Sequence, residues 1–205
     1  MENLLQTGKV KAIGISNFSK SQMEHLLSNT TIKPAVHQME GHPWLQQHEF
    51  MKWHKQHGIH VTHYSPFGNL NQHYKAGGLG RLIDDPVLVG IGKHHGKLGS
   101  QVCEGISTFS FLFVLIPSSL FLLLNSTELT YKLAWAITMG HSVLTKSKTP
   151  HRIKTNLEGD FILTDEEMEQ IAKIDRKLRF NDDSEILGMD LFSDLEGKNS
   201  YSKPE

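Results

Sequence analysis

Short apolar runs alternate with amphipathic ones along most of this 205-residue chain, and that alternation constrains its fold more than any other feature. The segments "KAIGIS" (11–16), "PAVHQME" (34–40), "IHVTHYS" (59–65) and "HSVLTKS" (141–147) each read as a short buried strand. Helical patterns stand between and after them. In "SKSQMEHLLS", Ser19 is placed to cap a helix and Gln22, three residues on, completes a reciprocal capping box. "QQHEFMKWHKQHG" sets Phe50, Met51 and Trp53 among polar residues and stops at Gly58. Asp85-Pro86 opens a further helix, and "PHRIKTNL" starts a short one. In "LTDEEMEQIAKIDRKL", Thr164 caps, Glu167 completes the box, and Met168, Ile171, Ile174 and Leu178 form an apolar face. Strand–helix repetition of this kind implies an α/β fold, a parallel sheet with helical crossovers. Periodicity alone does not separate an open doubly wound sheet from a closed barrel. The polar tail, residues 180–205, reads as a surface loop.

Charge excludes several function classes. The 21 Lys and Arg balance 22 Asp and Glu, so no basic surplus points to nucleic acid and no acidic block points to a solvating tail. The single cysteine, Cys103, leaves no internal disulfide framework and no cysteine metal cluster, which fits a reducing, cytoplasmic setting. The first residues lack the apolar core and small-residue cleavage site of a secretory signal. The 13 histidines read as scattered surface residues. His94-His95 has no third ligand or carboxylate beside it in sequence, so no metal site is expected.

Five motifs occur in order and at suitable spacing: "GKVKAIGISNF", "PAVHQMEGHPWLQQ", "HYSPFGN", "LTKSKTPHRIKTN" and "LTDEEMEQIAKID". Together they resemble the aldo-keto reductases, most closely the fungal aldehyde or glycerol reductases. The resemblance covers nearly the whole chain except one apolar stretch. It implies a (β/α)8 TIM-barrel family fold and the use of NADP(H) without a Rossmann domain, with cofactor contacts at the C-terminal ends of strands. Carried over residue by residue, Ser16, Asn17 and Gln38 hold the nicotinamide carboxamide, and Tyr64 stacks on the nicotinamide ring. Ser65, Phe67 and Asn69 line the pyrophosphate. Lys146, Ser147 and Arg152 hold the 2′-phosphate, and Asn156 reaches the adenine. The implied substrates are small aldehydes, ketones or polyols.

The chemistry of these residue types fits those roles. A carboxamide offers a donor and an acceptor, which suits Asn and Gln. A flat nicotinamide needs an aromatic face. A ribose phosphate calls for a point charge and a planar fork together, hence Lys and Arg. Taken singly, Lys146 and Arg152 would be solvated charges, Tyr64 a rim aromatic and Gln38 a satisfied amide. Their joint appearance at strand ends is what points to a cofactor.

Two departures stand out. The family's tyrosine acid, its lysine, the aspartate behind it and the substrate-orienting histidine lie on earlier strands and have no counterpart among these residues. "MENLLQTGKV" resembles the end of the helix before a fifth strand, so the chain reads as one partial domain, 1–205, holding strands five to eight. Such a half barrel is expected to expose two strand edges and an apolar inner face, to self-associate through those edges, and to reduce carbonyls negligibly alone. The second departure is residues 103–132, a nearly uncharged run rich in Phe, Leu and Ser. Its length suits a membrane span, but Pro117 and neighbouring serines disfavour one. It is wedged between "GKLGSQV" (96–102) and "LAWAITMG" (133–140), which joined would form one helix with Val102, Leu133 and Ile137 on a stripe. It therefore reads as an insertion, of the kind a retained intron encodes. The alternative to a truncated, inactive reductase is a non-catalytic nucleotide-binding or membrane-attached interaction module.

Overall fold

A computed structural model describes residues 1–68, 80–104, 135–156 and 161–196. The apolar stretch lies outside them from residue 105 to its end, as does Asn69. Helix α1 (Glu2–Gln6) is followed by β1 (Gly14–Ser16), α2 (Lys20–Asn29), β2 (Val36–Glu40), α3 (His48–His57) and β3 (His60–Tyr64). After a 3-10 turn come α4 (Pro86–His94), α5 (Gly99–Glu104), α6 (Trp135–Thr138), β4 (Ser142–Leu144), α7 (Pro150–Asn156), α8 (Asp165–Ala172) and α9 (Ser184–Leu187). The four strands form one parallel sheet in the order β1-β2-β3-β4.

Local chemistry sets the helix ends where the sequence places them. Both capping boxes form: Ser19 with Gln22, and Thr164 with Glu167. Asp85 caps α4 with its side chain, and Gly58 closes α3 in the left-handed conformation that glycine adopts without a Cβ penalty. Helix α8 ends at Ala172, short of Leu178. There Arg176 and Leu178 donate their backbone N–H groups to the carbonyl of Trp44, at 3.2 and 2.9 Å, and Lys177 turns left-handed.

The register sorts the strands into two faces. Ile15, His37, Met39, Val61, His63 and Val143 point one way, toward the helices, and all but Ile15 are buried. Ser16, Val36, Gln38, Glu40, His60, Thr62, Tyr64, Ser142 and Leu144 point the other way. This second face is mainly polar, which corrects the expectation of an apolar inner surface. Thr62 and Ser142 satisfy one another there through hydroxyls 2.6 Å apart.

Two apolar cores lie on the helix side. One joins Met23, Met39, Phe50, Met51, Trp53 and Val61 to Phe192 and Leu195. The other joins Trp44, Leu88, Ile91, Val102, Cys103, Trp135, Val143, Ile171, Leu178 and Phe180. Phe180, Phe192 and Leu195 belong to the segment expected to loop over the surface. Their burial anchors it instead, and the backbone N–H of Ser21 donates to the Asp194 carboxylate. The tail reads as polar in sequence because its three apolar anchors are spaced without a helical or strand period.

The histidines are likewise not all surface residues: His25, His48, His57, His94 and His151 are exposed, but His37, His42, His54 and His63 are fully buried. A relay of bonds fixes two of them. The N–H of Phe18 donates to His37 Nε2 at 3.1 Å, so the His37 proton sits on Nδ1. That nitrogen lies 2.8 Å from His54 Nε2, and His54 Nδ1 is 2.7 Å from the carbonyl of Phe50. Each ring donates once and accepts once, which only neutral imidazoles can do. On the same side His63 pairs with His141 at 2.9 Å, its ring pressed against Gly41, where a Cβ would fall 1.9 Å from His63 Nδ1.

Burial holds these rings neutral. It lowers His37 to about 3, with His54 adding repulsion, and His141 to about 4, with repulsion from His60 and His54. It also lowers His54 and His60, and lowers His63 further still. The unfolded chain, with ordinary histidines near 6.5, therefore takes up protons first as pH falls. Stability is fully present above about 6.5 and drains from there to about 4 for His141 and about 3 for His37, at roughly 1.4 kcal/mol per pH unit for each ring. Urea unfolding across pH 7.5 to 4.5 should show a midpoint falling steeply below pH 6.5, and His37→Gln should flatten the slope. A midpoint independent of pH would contradict this account.

Candidate cofactor site

Because all four strands run parallel, the turns that leave them gather at one edge of the sheet. Asn17 follows β1 directly and adopts φ 58°, and Ser65 follows β3 directly with φ 51°. Left-handed backbone at residues other than glycine is uncommon and tends to mark functional turns. Asn17 is held there by its N–H, which donates to the carbonyl of Gln38 at 3.0 Å. The next residue, Phe18, is the one bound by the His37 ring.

Side chains from three strands meet at this edge. The Tyr64 hydroxyl donates to Asn17 Oδ1 at 2.9 Å, which leaves the Asn17 amide hydrogens as donors. Gln38 pairs in register with Ser16 on one side and Thr62 on the other. Tyr64 is a reluctant acid: burial, then the nearby Glu40 carboxylate, push its pKa above the ordinary phenol value. Ser65 accepts a bond from Asn181 Nδ2 at 3.2 Å, and Phe67 packs against the larger core.

Lys146 and Ser147 lie in the loop that leaves β4, at the same end of the sheet, since Tyr64 is level with Leu144. Lys146 is exposed, and Ser147 Oγ accepts the Thr149 N–H at 3.1 Å just before α7. Arg152 and Asn156 sit on α7 itself. Ser16, Asn17, Gln38 and Tyr64 thus form one cluster, whereas Lys146, Ser147, Arg152 and Asn156 form a neighbouring group on the β4–α7 connection.

Sequence reasoning missed the residue that ties this edge together. Glu40 ends β2, fully buried, and receives the backbone N–H of Phe180 at 2.7 Å and of Asn181 at 2.9 Å. His42 Nε2 contacts the same carboxylate at 3.0 Å. Burial alone would raise the Glu40 pKa, but the bonds from His42 and Phe180 hold it below the ordinary value. Arg179, also buried, donates to Gln47 at 3.0 Å and lies 3.9 Å over the ring of Phe192. Phe180 in turn closes over Gly68, where a Cβ would meet its ring at 2.7 Å. A charged residue closing an otherwise apolar strand was the available signal in "VHQME"; its partners lie about 140 residues on.

Comparisons with known proteins bear on the fold that carries this edge. Residues 1–75 match the model of the aldo/keto reductase family. The chain is similar to the aldo/keto reductases. An uncharacterized oxidoreductase of Schizosaccharomyces pombe is 42% identical over 182 residues, 88% of this chain and 47% of that protein. An NAD(P)H-dependent D-xylose reductase of Candida tenuis is 34% identical over 183 residues, 89% of this chain and 49% of that protein. The crystal structure of an aldo-keto reductase complexed with NADPH superposes with TM-score 0.65 at 27% identity, covering 88% of this chain and 47% of that one. The chain spans about half the length of the curated relatives it matches. The four-stranded parallel sheet is consistent with part of a (β/α)8 barrel. No helix among the described residues is long and apolar enough to cross a membrane.

Glu40→Ala would strip a buried carboxylate from two backbone donors. We expect a loss of about 3 kcal/mol in urea unfolding and faster tryptic cleavage after the otherwise buried Arg179. Unchanged stability together with unchanged cleavage would contradict the anchoring role.

Proposed function

We propose that this chain carries the NADP(H)-binding face of an aldo-keto reductase-type oxidoreductase, which transfers hydride between NADPH and small aldehydes, ketones or polyols. The observation that carries the reading is the meeting of Asn17, Gln38 and Tyr64 at the C-terminal edge of a parallel sheet, beside the Lys146 loop. In this reading the Asn17 and Gln38 amides grip the nicotinamide carboxamide and the Tyr64 ring backs the nicotinamide. Ser16 joins the two amides at the carboxamide, and Ser65, Phe67 and Asn69 line the path of the pyrophosphate. Lys146, Ser147 and Arg152 take the 2′-phosphate, with Asn156 toward the adenine. The raised pKa of Tyr64 suits a stacking platform and not a proton donor. This set of side chains supplies no partners for proton transfer, so it binds cofactor and does not by itself reduce carbonyls. Strands β1 to β4 would be the fifth to eighth of the barrel, and the outer edges of β1 and β4 are where further strands, or a second copy, would pair.

Titration calorimetry should show NADPH binding more tightly than NADH. Lys146→Ala and Arg152→Ala should each cost about tenfold for NADPH and little for NADH, the scale of one hydrogen bond to a charged group. Equal affinity for both cofactors, or no binding of either, would overturn the reading. NADPH oxidation with a small aldehyde at rates typical of a reductase would refute the inactivity of the chain alone.

We also infer that residues 103–132 interrupt a single helix. In support, α5, which runs two residues into the stretch, and α6, just after it, pack against each other and bury Val102, Trp135 and Ala136 in one core. Deleting residues 103–132 to join Val102 to Leu133 should yield a more soluble chain with a higher Tm. A deletion variant that fails to fold while the full chain folds would count against it.

A further inference from the structure

A second cluster of chemically capable side chains lies away from the strand-end turns. Helix α4 ends on His94 and is capped by His95, and helix α8 begins with the Thr164–Glu167 box. These two ends meet. His94 Nδ1 lies 3.1 Å from Glu167 Oε1, and His95 Nε2 lies 2.8 and 3.0 Å from the two carboxylate oxygens. One ligand atom from each of the three residues can be chosen so that all fall within 4.8 Å of one another. The carboxylate that "HH" lacks in sequence is thus supplied by a helix about 70 residues later.

We propose that His94, His95 and Glu167 form a binding site for a divalent transition-metal ion of the zinc, cobalt and nickel group, bridging α4 and α8. The donor set favours such an ion: two imidazoles and a carboxylate suit zinc and its neighbours better than magnesium or calcium, which prefer all-oxygen shells. Bonds of about 2.0–2.2 Å in a tetrahedral shell separate ligand atoms by about 3.3–3.5 Å. Each His–Glu167 pair needs to open by only a few tenths of an ångström, and His94, with a side chain 74% exposed, can swing to bring the widest pair, within 4.8 Å, to that spacing. The other two ligands are already oriented. Glu167 Oε2 accepts the Thr164 N–H at 2.9 Å, and the His95 ring rests on Phe161 with centroids 4.6 Å apart. Such outer contacts commonly hold metal ligands in place. The exposed side at His94 leaves a fourth position for water. The inference does not depend on the cofactor reading, because none of the three residues takes part in it.

The test is calorimetric titration of the full chain with zinc chloride, repeated with cobalt chloride while the visible d–d bands are followed. We expect one ion per chain at micromolar affinity and tetrahedral cobalt absorption. Glu167→Gln keeps the capping box and His94→Ala alters an exposed ring, so both variants should fold; each should weaken binding tenfold or more. His25→Ala, an exposed histidine on α2, should leave it unchanged. A zinc-induced rise in Tm should be present in the native chain and lost in His94→Ala. Binding that is unaffected by both ligand substitutions, or absent up to millimolar zinc, would overturn the proposal.

Discussion

The bond from the Phe18 N–H to the ring of His37 is the constraint on which the strand-end edge depends. It couples the turn after β1 to the buried face of β2, and through His54 to α3. A turn held only by its own backbone would fray, as most surface connections do. Here the left-handed Asn17 is fixed from both sides, by the Gln38 carbonyl and, through Phe18, by a ring that cannot move without breaking its buried bond to His54. Buried networks of this kind favour one arrangement when every member is satisfied and are costly when one is not. The neutrality of the histidines is therefore part of the architecture of the site.

Glu40 does for the far end of the chain what His37 does for the near end. Its carboxylate gathers two backbone donors of the Phe180–Asn181 segment, and Asn181 then reaches Ser65. The tail is thereby tied to the turn after β3, and its aromatic residues complete both cores. Asn17 and Ser65, the two strained turns, are each secured by a buried polar residue of β2. That strand is the organising element of the sheet edge, although the side chains clustered there come from its neighbours as well.

What was legible in the sequence was local. Strand positions followed from apolar runs, and the caps at Ser19, Asp85 and Thr164 followed from residue type and spacing. Asn17, Gln38 and Tyr64 stood out through the motifs that resemble the aldo-keto reductases, and their types fit the carboxamide and flat ring that this resemblance implies. The rest was hidden by distance along the chain. A histidine reads as a surface residue until its partner is known, and His37 finds His54 only once β2 and α3 are packed. The three apolar anchors of the tail had no period to announce them, and the polar character of the second sheet face emerged only when the register aligned Gln38, Thr62 and Ser142. His94 and His95 lacked a third ligand in sequence for the same reason.

The central claim is that Asn17, Gln38 and Tyr64 act together as one surface toward a nicotinamide cofactor. Nuclear magnetic resonance of the isotopically labelled chain during NADPH addition tests this most directly. The side-chain amide signals of Asn17 and Gln38 and the ring signals of Tyr64 should shift together and saturate along a single binding curve, while those of His94 and His95 stay in place. Signals that remain unmoved at saturating NADPH, or that titrate with unrelated midpoints, would contradict it.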